Sequence, residues 1–304
     1  MMMRDISLHK TSLRGLRPVN EDVEKYNMNL SVNGNPFDNR FAPVDFFVIC
    51  DGHGGLEVAQ YVVSRLEMQF MKKSLEYPLS RKYIRKIFSQ IQEELKNHPG
   101  QIAYNCGCTT LIVIRYMDEM GNKNIQVVNL GDCRAVLSRK GLAIPLTKDH
   151  KPFWPDEKHR IDLVNKRCGT NIKIHFEAGD WRIGDLSVSR SFGDLDNVPY
   201  VTHVPDIYQY NLMDSDEFII MACDGLWDVI SNHEAVNFVR DHLSNNHTEI
   251  YQITSSLETF YDYNFFKKLS WRSTKKRNIA RLLAEYSIAK GSCDNVSIMI
   301  IFFK

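Results

Sequence analysis

Two short apolar runs in this sequence each end on Cys-Asp-Gly. They are DFFVICDGHGG, which contains Asp51, and EFIIMACDGLWD, which contains Asp224. Both runs are bounded by charge and glycine, a pattern typical of a buried strand followed by a sharp turn. An aspartate at the end of a buried strand loses hydration, and it stays ionised there only where a cation or several hydrogen-bond donors replace the water. Both motifs therefore indicate a site where a cation or several hydrogen-bond donors contact the aspartate.

Four more carboxylates lie where an apolar run meets a turn. Asp132 lies in NLGDC, Asp294 in SCDNV, and Glu21 and Asp22 are adjacent in RPVNEDV. Hard divalent cations such as Mg²⁺ and Mn²⁺ take carboxylate, carbonyl and water oxygens, and Gly52 would let a backbone carbonyl approach closely. Acids at strand ends are also common turn formers, and spacing alone does not show that these six converge. Together they favour a divalent-metal site.

Composition excludes several classes of protein. The chain has 304 residues, with 38 Lys and Arg against 37 Asp and Glu, so no overall field attracts nucleic acid or an anionic membrane. No apolar run reaches the roughly 18 residues that a membrane span needs. The seven cysteines are an odd number, and several lie in apolar strand patterns that suit a reducing compartment. We expect a soluble monomer in the cytoplasm, with the nucleus as the alternative location, and neither a membrane nor a nucleic-acid partner.

Strand and helix patterns are interleaved along the chain without an internal repeat. Helical patterns cover residues 56–76, 80–97, 231–244 and 278–290. Strand patterns follow one another across short turns, as where NIQVVNLGD runs into RAVLSRKG, which predicts a sheet that is antiparallel at least in part. A doubly wound parallel fold is therefore disfavoured. The strand patterns are DISLHKTS, EKYNMNLSV, DFFVICD, CTTLIVIRY, NIQVVNLGD, RAVLSR, IYQYNL, EFIIMACD and NVSIMIIFF.

Ten motifs resemble those of the metal-dependent protein serine/threonine phosphatases of the 2C type, in that family's order from Arg17 to the C-terminus. Each motif alone is weak evidence, but ten in order are specific. They are RPVNED (17–22), DGHGG (51–55), GCTT (107–110), GDCRAVL (131–137), DHKP (149–152), EKHRI (157–161), LSVSRSFGD (186–194), VPDI (204–207), CDGLWDV (223–229) and GSCDN (291–295).

The resemblance implies an α+β fold, a four-layer α/β/β/α sandwich. Two mainly antiparallel sheets pack face to face, helices cover both outer faces, and the metal centre lies at one end. It also implies that residues 1–304 form a single phosphatase catalytic domain, with a longer insertion than usual at about 245–278. The aromatic and basic residues of that insertion are open to two interpretations, a docking element or an extra helix packed on the body of the domain.

The resemblance also implies the ligands of two Mg²⁺ or Mn²⁺ ions per chain and of a third, weaker ion. Asp51 resembles the carboxylate that bridges the two ions, with Asp224 and Asp294 completing the first. The carbonyl of Gly52 and, through water, Glu21 resemble ligands of the second. The remaining assignments are Asp132 with Asp224 on the third ion, Asp22 orienting metal-bound water, Thr109 beside the centre, and Asn295 fixing the loop of Asp294.

Two further residues have candidate roles in phosphate chemistry. The planar guanidinium of Arg17 can bind two phosphoryl oxygens, although a surface ion pair with Glu21 or Asp22 is the alternative. His53 follows Asp51 in its turn and is placed to protonate the leaving alkoxide, although a hydrogen bond to a neighbouring carbonyl or acid is the alternative. Metal ions would neutralise the phosphate dianion and activate water as the nucleophile.

The predicted function is hydrolysis of phosphoserine and phosphothreonine monoesters in phosphoprotein substrates. The alternative from another class is a catalytically weak or dead scaffold that binds signalling partners, although the metal acids that such members lack are present here. Hydrolysis of a phosphodiester or a small phosphate would use the same centre and stays open. Cys133 and Arg139 have the spacing of the cysteine phosphatase loop, but the strand pattern RAVLS between them excludes that loop. Substrate choice is expected to depend on residues 170–185.

Overall fold

A computed structural model describes residues 6–30, 44–72, 75–244 and 278–304. The insertion predicted at about 245–278 therefore lies outside the described residues apart from Asn278. The described part contains fifteen strands. Their bounds are β1 Ile6–Leu13, β2 Val23–Leu30, β3 Val44–Cys50, β4 Gly52–His53, β5 Gly107–Cys108, β6 Thr110–Met117, β7 Lys123–Leu130, β8 Arg134–Arg139, β9 Leu142–Pro145, β10 Ile174–Glu177, β11 Asp180–Ile183, β12 Phe192–Gly193, β13 Asp206–Asn211, β14 Asp216–Ala222 and β15 Val296–Phe303.

The helices of the described part are short relative to a bilayer. None of them is both long enough and apolar enough to cross a membrane. A 3₁₀-helix covers Leu195–Asn197. The α-helices are α1 Glu57–Phe70, α2 Arg81–Lys96, α3 Pro155–Cys168, α4 Asp224–Trp227, α5 Asn232–Leu243 and α6 Ile279–Ala289.

Two five-stranded antiparallel sheets form the centre of the fold. The first sheet has the order β1-β15-β14-β8-β9 and the second has the order β13-β7-β6-β3-β2. Every neighbouring pair in both sheets is antiparallel. Helices α1 and α2 cover the outer face of the second sheet, and α5 and α6 cover the outer face of the first. The four-layer α+β sandwich predicted from the sequence is confirmed.

The central strands lack apolar alternation because both of their faces are buried. In β3, Phe47 and Ile49 pack between the two sheets, whereas Phe46 and Val48 pack under α1 and α2. All four side chains are buried. A strand covered on both faces reads as a continuous apolar run, which is why DFFVIC contains no polar residue after Asp45.

Antiparallel pairing brings the ends of alternate strands to the same edge of the sandwich. In the second sheet, Val23 at the start of β2 pairs with Cys50 at the end of β3. In the first sheet, Ala222 at the end of β14 pairs with Arg134 at the start of β8 and with Ile298 near the start of β15. The segments that follow β3 and β14 and precede β2, β8 and β15 therefore meet at one edge.

Two helical regions differ from the sequence prediction. The first helix was predicted to reach residue 76 but ends at Phe70, whose carbonyl accepts a hydrogen bond from the Tyr77 hydroxyl at 2.6 Å. Helix α3 was not predicted. Its mean hydropathy is low and only Glu157 and Ile161 are buried, so the apolar periodicity that indicates a helix is almost absent.

The core between the sheets should contribute directly to the stability that apolar burial provides. Leu111 is fully buried between the sheets, and Leu142 in β9 is 65% exposed. We expect Leu111→Ala to lower the free energy of unfolding by about 2–5 kcal/mol through lost burial and a residual cavity. The matched control Leu142→Ala should change it by less than about 0.5 kcal/mol. Urea unfolding followed by circular dichroism measures both, and equal losses would contradict this location of the core.

Candidate metal centre

An open cavity of about 260 Å³ lies at the edge where the strand ends meet. It is lined by ten of the eleven residues that the sequence predicted for the site. They are Arg17, Glu21, Asp51, Gly52, His53, Thr109, Asp132, Asp224, Asp294 and Asn295. The eleventh, Asp22, is buried beside Asp51. The antiparallel topology thus brings together positions that are far apart in the sequence.

Asp51 belongs to two groups of candidate ligands. One group is Asp51, Asp132 and Asp224, and the other is Asp51, Asp22 and Cys223. Within each group, one ligand atom from every residue lies within 4.8 Å of the others. Asp51 follows β3 of the second sheet and Asp224 follows β14 of the first, so this cluster joins the ends of both sheets.

Burial and mutual repulsion make the charged state of this cluster unfavourable. Burial, reinforced by the charges of Asp224 and Asp22, raises the pKa of Asp51 well above its usual range. Burial and the charges of Asp132 and Asp228 do the same to the pKa of Asp224. Burial also raises the pKa of Asp22 to about 6. A cation placed among these groups would replace their lost hydration and relieve their repulsion.

The donor set fits a hard divalent cation. Carboxylate oxygens dominate it, and such oxygens suit Mg²⁺ and Mn²⁺. The Oδ1 atom of Asp22 is buried and has no hydrogen-bond partner among the described residues. A buried polar atom without a partner is unfavourable, so a ligand or an ordered water bonded to this carboxylate would stabilise the site.

Lys151 and Asp228 lie at the site but were not predicted from the sequence, although each belongs to one of the ten motifs. Lys151, in DHKP, is largely buried, and its Nζ lies 2.6 Å from Asp132 and 3.4 Å from Asp180. Burial lowers its pKa, but Asp132 and Asp224 outweigh burial, and the pKa is raised overall. Asp228, in CDGLWDV, has its pKa raised to about 6 by burial despite the opposing charge of Lys151. The protein thus places one ammonium group among these carboxylates.

Close backbone contacts hold the strand ends together around the cavity. A Cβ atom on Gly52 would lie 2.5 Å from the carbonyl oxygen of Glu21, so only glycine permits this approach. Asn295 accepts a hydrogen bond from the Glu21 amide at 2.8 Å. Its own amide group donates to the carbonyls of Arg14 and Val19. Asn295 therefore fixes the loop that carries Arg17 and Glu21, in addition to its position next to Asp294.

Arg17 and Asp294 form an ion pair at the mouth of the cavity. Nη2 of Arg17 lies 2.6 Å from Oδ2 of Asp294, and the two side chains are 57% and 36% exposed. This hydrogen bond is the main reason that the pKa of Arg17 is raised. The sequence predicts a phosphate-binding role for Arg17 and a metal-binding role for Asp294, with an ion pair between Arg17 and Glu21 or Asp22 as the alternative. The pair with Asp294 was not predicted.

His53 is oriented by a buried aspartate. Its Nε2 atom lies 2.8 Å from Oδ1 of Asp194, which also accepts a hydrogen bond from Ser191 through Oδ2. Burial lowers the pKa of His53, but the hydrogen bond and charge of Asp194 outweigh it, and the pKa is raised overall. The small sheet β12-β5-β4 brings the two residues together, and a Cβ atom on Gly107 would lie 2.3 Å from Oδ2 of Asp194.

Thiols beside the cluster are buried and weakly acidic. The Thr109 hydroxyl lies 3.1 Å from Sγ of Cys133, and the thiol of Cys223 donates to Asp22 at 3.4 Å. Burial raises the pKa of both thiols well above the usual range. A thiolate nucleophile needs a lowered pKa, and Arg139 is paired with Asp216, so no cysteine phosphatase loop is formed by these residues.

Comparisons with known proteins show which family the chain resembles. The sequence model described as "Protein phosphatase 2C" matches residues 7–296. The chain is 64% identical over 187 residues to "PP2C-like domain-containing protein R307" of Acanthamoeba polyphaga mimivirus, covering 62% of this chain and 98% of that protein. It is 34% identical to "Probable protein phosphatase 2C 11" of Arabidopsis thaliana, covering 97% of this chain and 66% of the relative.

A mammalian protein and a solved structure are also similar to this chain. Identity to "Protein phosphatase 1L" of Bos taurus is 37%, covering 82% of this chain and 67% of that protein. A crystal structure of a phosphatase from a pathogenic strain of Toxoplasma gondii superposes with a TM-score of 0.71 at 20% identity, covering 99% of this chain and 94% of that one. The structural likeness shows a shared fold. The chain spans about two thirds of the length of the plant and mammalian relatives.

Removing a carboxylate from the cluster should stabilise the metal-free protein. In the presence of a chelator we expect Asp51→Asn to raise the free energy of unfolding by about 1–3 kcal/mol, because a buried charge and its repulsions are lost. Addition of Mn²⁺ should raise the melting temperature of the wild type but not that of the variant. Calorimetry measures both effects, with Asp162→Asn on the exposed face of α3 as the matched control. A lower stability of Asp51→Asn in chelator would contradict the repulsion described here.

Removing the ammonium group should have the opposite effect. Lys151→Met leaves Asp132 and Asp224 without their buried counter-charge, and we expect it to lower the free energy of unfolding in chelator by about 3–5 kcal/mol. Mn²⁺ should recover much of this loss, because the ion supplies the missing positive charge. Lys148→Met is the control, since its pair with Asp156 is exposed and contributes less than about 1 kcal/mol. Equal losses in the two variants would refute the role given to Lys151.

Proposed function

The chain belongs to the protein phosphatase 2C family, and from this premise we propose that it hydrolyses phosphoserine and phosphothreonine monoesters of proteins. Family membership confirms the resemblance identified from the motifs and the enzyme class, a metal-dependent protein serine/threonine phosphatase. The observation that carries the proposal is the carboxylate cluster at the open cavity, in which Asp132 is buried and Asp51 and Asp224 are partly buried. It suits divalent cations, and such cations can neutralise a phosphate ester and activate water for its hydrolysis at neutral pH.

The proposed ligands follow from the positions of the carboxylates. Asp51 would be shared between two ions, with Asp224 and Asp294 on one of them and with Glu21 and the Gly52 carbonyl on the other. Asp132 and Asp224 would hold a third, weaker ion. When bound, Mg²⁺ or Mn²⁺ supplies Lewis acidity that neutralises the phosphate dianion and makes water more acidic. Asp22 would orient that water, since it is buried beside Asp51 and its Oδ1 atom has no hydrogen-bond partner within the part of the chain that the structure describes.

Arg17 is the proposed phosphate-binding residue. It lies at the mouth of the cavity, where an incoming ester first meets the site. Its present partner Asp294 is one of the proposed ligands, so a turn of that carboxylate toward a cation would release the guanidinium. Two parallel hydrogen bonds from Arg17 to phosphoryl oxygens would then hold the ester in a fixed orientation.

His53 is the proposed proton donor to the leaving alkoxide. Asp194 accepts a hydrogen bond at Nε2, so the proton for the substrate would leave from Nδ1. The buried carboxylate of Asp194 fixes the ring and stabilises its protonated form. His53 also lines the cavity, which gives it access to an ester bound there.

The hydrolysis assay should separate an enzyme from a scaffold. We expect purified protein to release phosphate from a phosphothreonine peptide only in the presence of Mn²⁺ or Mg²⁺. Asp224→Asn should lower kcat/KM at least about 100-fold, because a ligand and a buried charge are lost together. Phosphate release is measured with and without the metal ion, and Asp162→Asn serves as the folded control with unchanged activity.

Three results would count against the proposal. A folded wild type that releases no phosphate in saturating metal would favour the scaffold interpretation. Full activity in excess chelator would exclude the role of divalent ions. An activity that is equal in Asp224→Asn and the wild type would place the chemistry elsewhere on the protein.

A further inference from the structure

Four aromatic side chains form an exposed cluster beside the cavity, and we call it the outer aromatic surface. Its members are Phe153, Trp154, Phe176 and Trp181, whose exposed fractions are 39%, 39%, 62% and 41%. The rings contact one another, with centroids 5.1 Å apart for Phe153 and Trp154, 6.5 Å for Phe153 and Trp181, and 5.5 Å for Phe176 and Trp181. A contiguous exposed aromatic area is typical of an interaction site.

The hairpin β10–β11 carries half of this surface. Phe176 pairs directly with Trp181, and Ile174 pairs with Ile183, so strand alternation places all four side chains on one face. Ile174 and Ile183 pack on Ile161 of α3 in a small buried cluster. The apolar face of the hairpin is therefore covered at Ile174 and Ile183 and exposed at Phe176 and Trp181, which lie nearer the turn. Because Ile174 and Ile183 anchor the hairpin, the outer rings are not required to hold it in place.

Side chains on the other face of the hairpin lie at the cavity. Arg182 lines the cavity, and Asp180 contacts Lys151, the same lysine that contacts Asp132 of the carboxylate cluster. Phe153 follows Lys151 by two residues. The hairpin is thus a wall with the candidate metal centre on one side and the outer aromatic surface on the other.

A paired charge flanks the rings. Lys148 lies 2.6 Å from Asp156 and also lies over the Trp154 ring. The apolar rings therefore have a polar edge next to Trp154. An apolar centre within a polar rim is the usual composition of a recognition surface for apolar and aromatic side chains.

We propose that the outer aromatic surface binds an apolar docking segment of phosphoprotein substrates, separate from the phosphorylated residue. The proposal rests on the proposed function, and it follows from the continuity of this surface with the wall of the cavity. A segment bound there holds the phosphorylated residue of the same chain near the metal centre. Tethering of this kind raises the effective concentration of the ester and lowers KM without changing the chemical step.

Linked and unlinked substrates test the proposal. One phosphothreonine peptide carries a segment rich in phenylalanine and leucine, attached through a glycine–serine linker. In a second peptide the apolar residues of that segment are replaced by serine. For the wild type with Mn²⁺ we expect KM to be at least about 10-fold lower for the first peptide at similar kcat. In Phe176→Thr/Trp181→Thr, KM for the first peptide should rise to that of the second. Hydrolysis of para-nitrophenyl phosphate should stay unchanged.

Phe153→Ser is a second variant, outside the hairpin. Like the double variant, it should have a higher KM than the wild type for the first peptide. Equal KM values of the two peptides in the wild type would overturn the proposal. So would loss of para-nitrophenyl phosphate hydrolysis together with peptide hydrolysis in both variants. A dimer of the wild type that these substitutions dissociate would also overturn it, because the surface would then be a contact between two copies.

Calorimetric binding of the apolar segment without its phosphothreonine separates this proposal from the proposed function. Binding that is lost in the double variant would support the docking surface even if the wild type hydrolysed no substrate. Absence of binding to an active wild type would overturn the docking surface and leave the phosphatase activity standing.

Discussion

Repulsion among buried carboxylates is the constraint on which the site depends. Asp51, Asp132 and Asp224 lie close enough to share a ligand, and burial raises the pKa of Asp51 and Asp224 well above the usual range. Within the described ranges, Lys151 sets its ammonium group against this accumulated negative charge. Such an arrangement is stable with protons or cations bound and unfavourable without them. Affinity for divalent ions is therefore a property of how the sandwich places its strand ends.

Antiparallel topology makes this placement possible with few special residues. Because each strand runs opposite to its neighbours, every second turn emerges at the same edge. A turn needs polar residues and glycines in any case, so carboxylates at that edge require no change in the core. Gly52 and Asn295 then act locally, the first by permitting close approach to Glu21 and the second by fixing the neighbouring loop.

The sequence predicted the features that depend on strong local patterns. Strands β3 and β14 read as continuous apolar runs because both faces are buried, and the acids after them were identified as candidate ligands. Helix α3 and the hairpin β10–β11 were missed because their apolar faces are small. The hydrogen-bond partners of Arg17 and His53 could not be predicted from the sequence either. These partners, Asp294 and Asp194, lie 277 and 141 residues away along the chain. Such contacts depend on packing in three dimensions.

The carboxylate cluster lies across the seam between the two sheets. Asp51 extends from the second sheet and Asp224 from the first, so an ion held by both would join the two halves of the sandwich at one end, as a non-covalent cross-link. Sliding of one sheet over the other would separate the two carboxylates without unpairing any strand. The packing of the two layers and affinity for the ion would then be coupled, and a substitution in the inter-sheet core that shifted the sheets would also weaken metal binding.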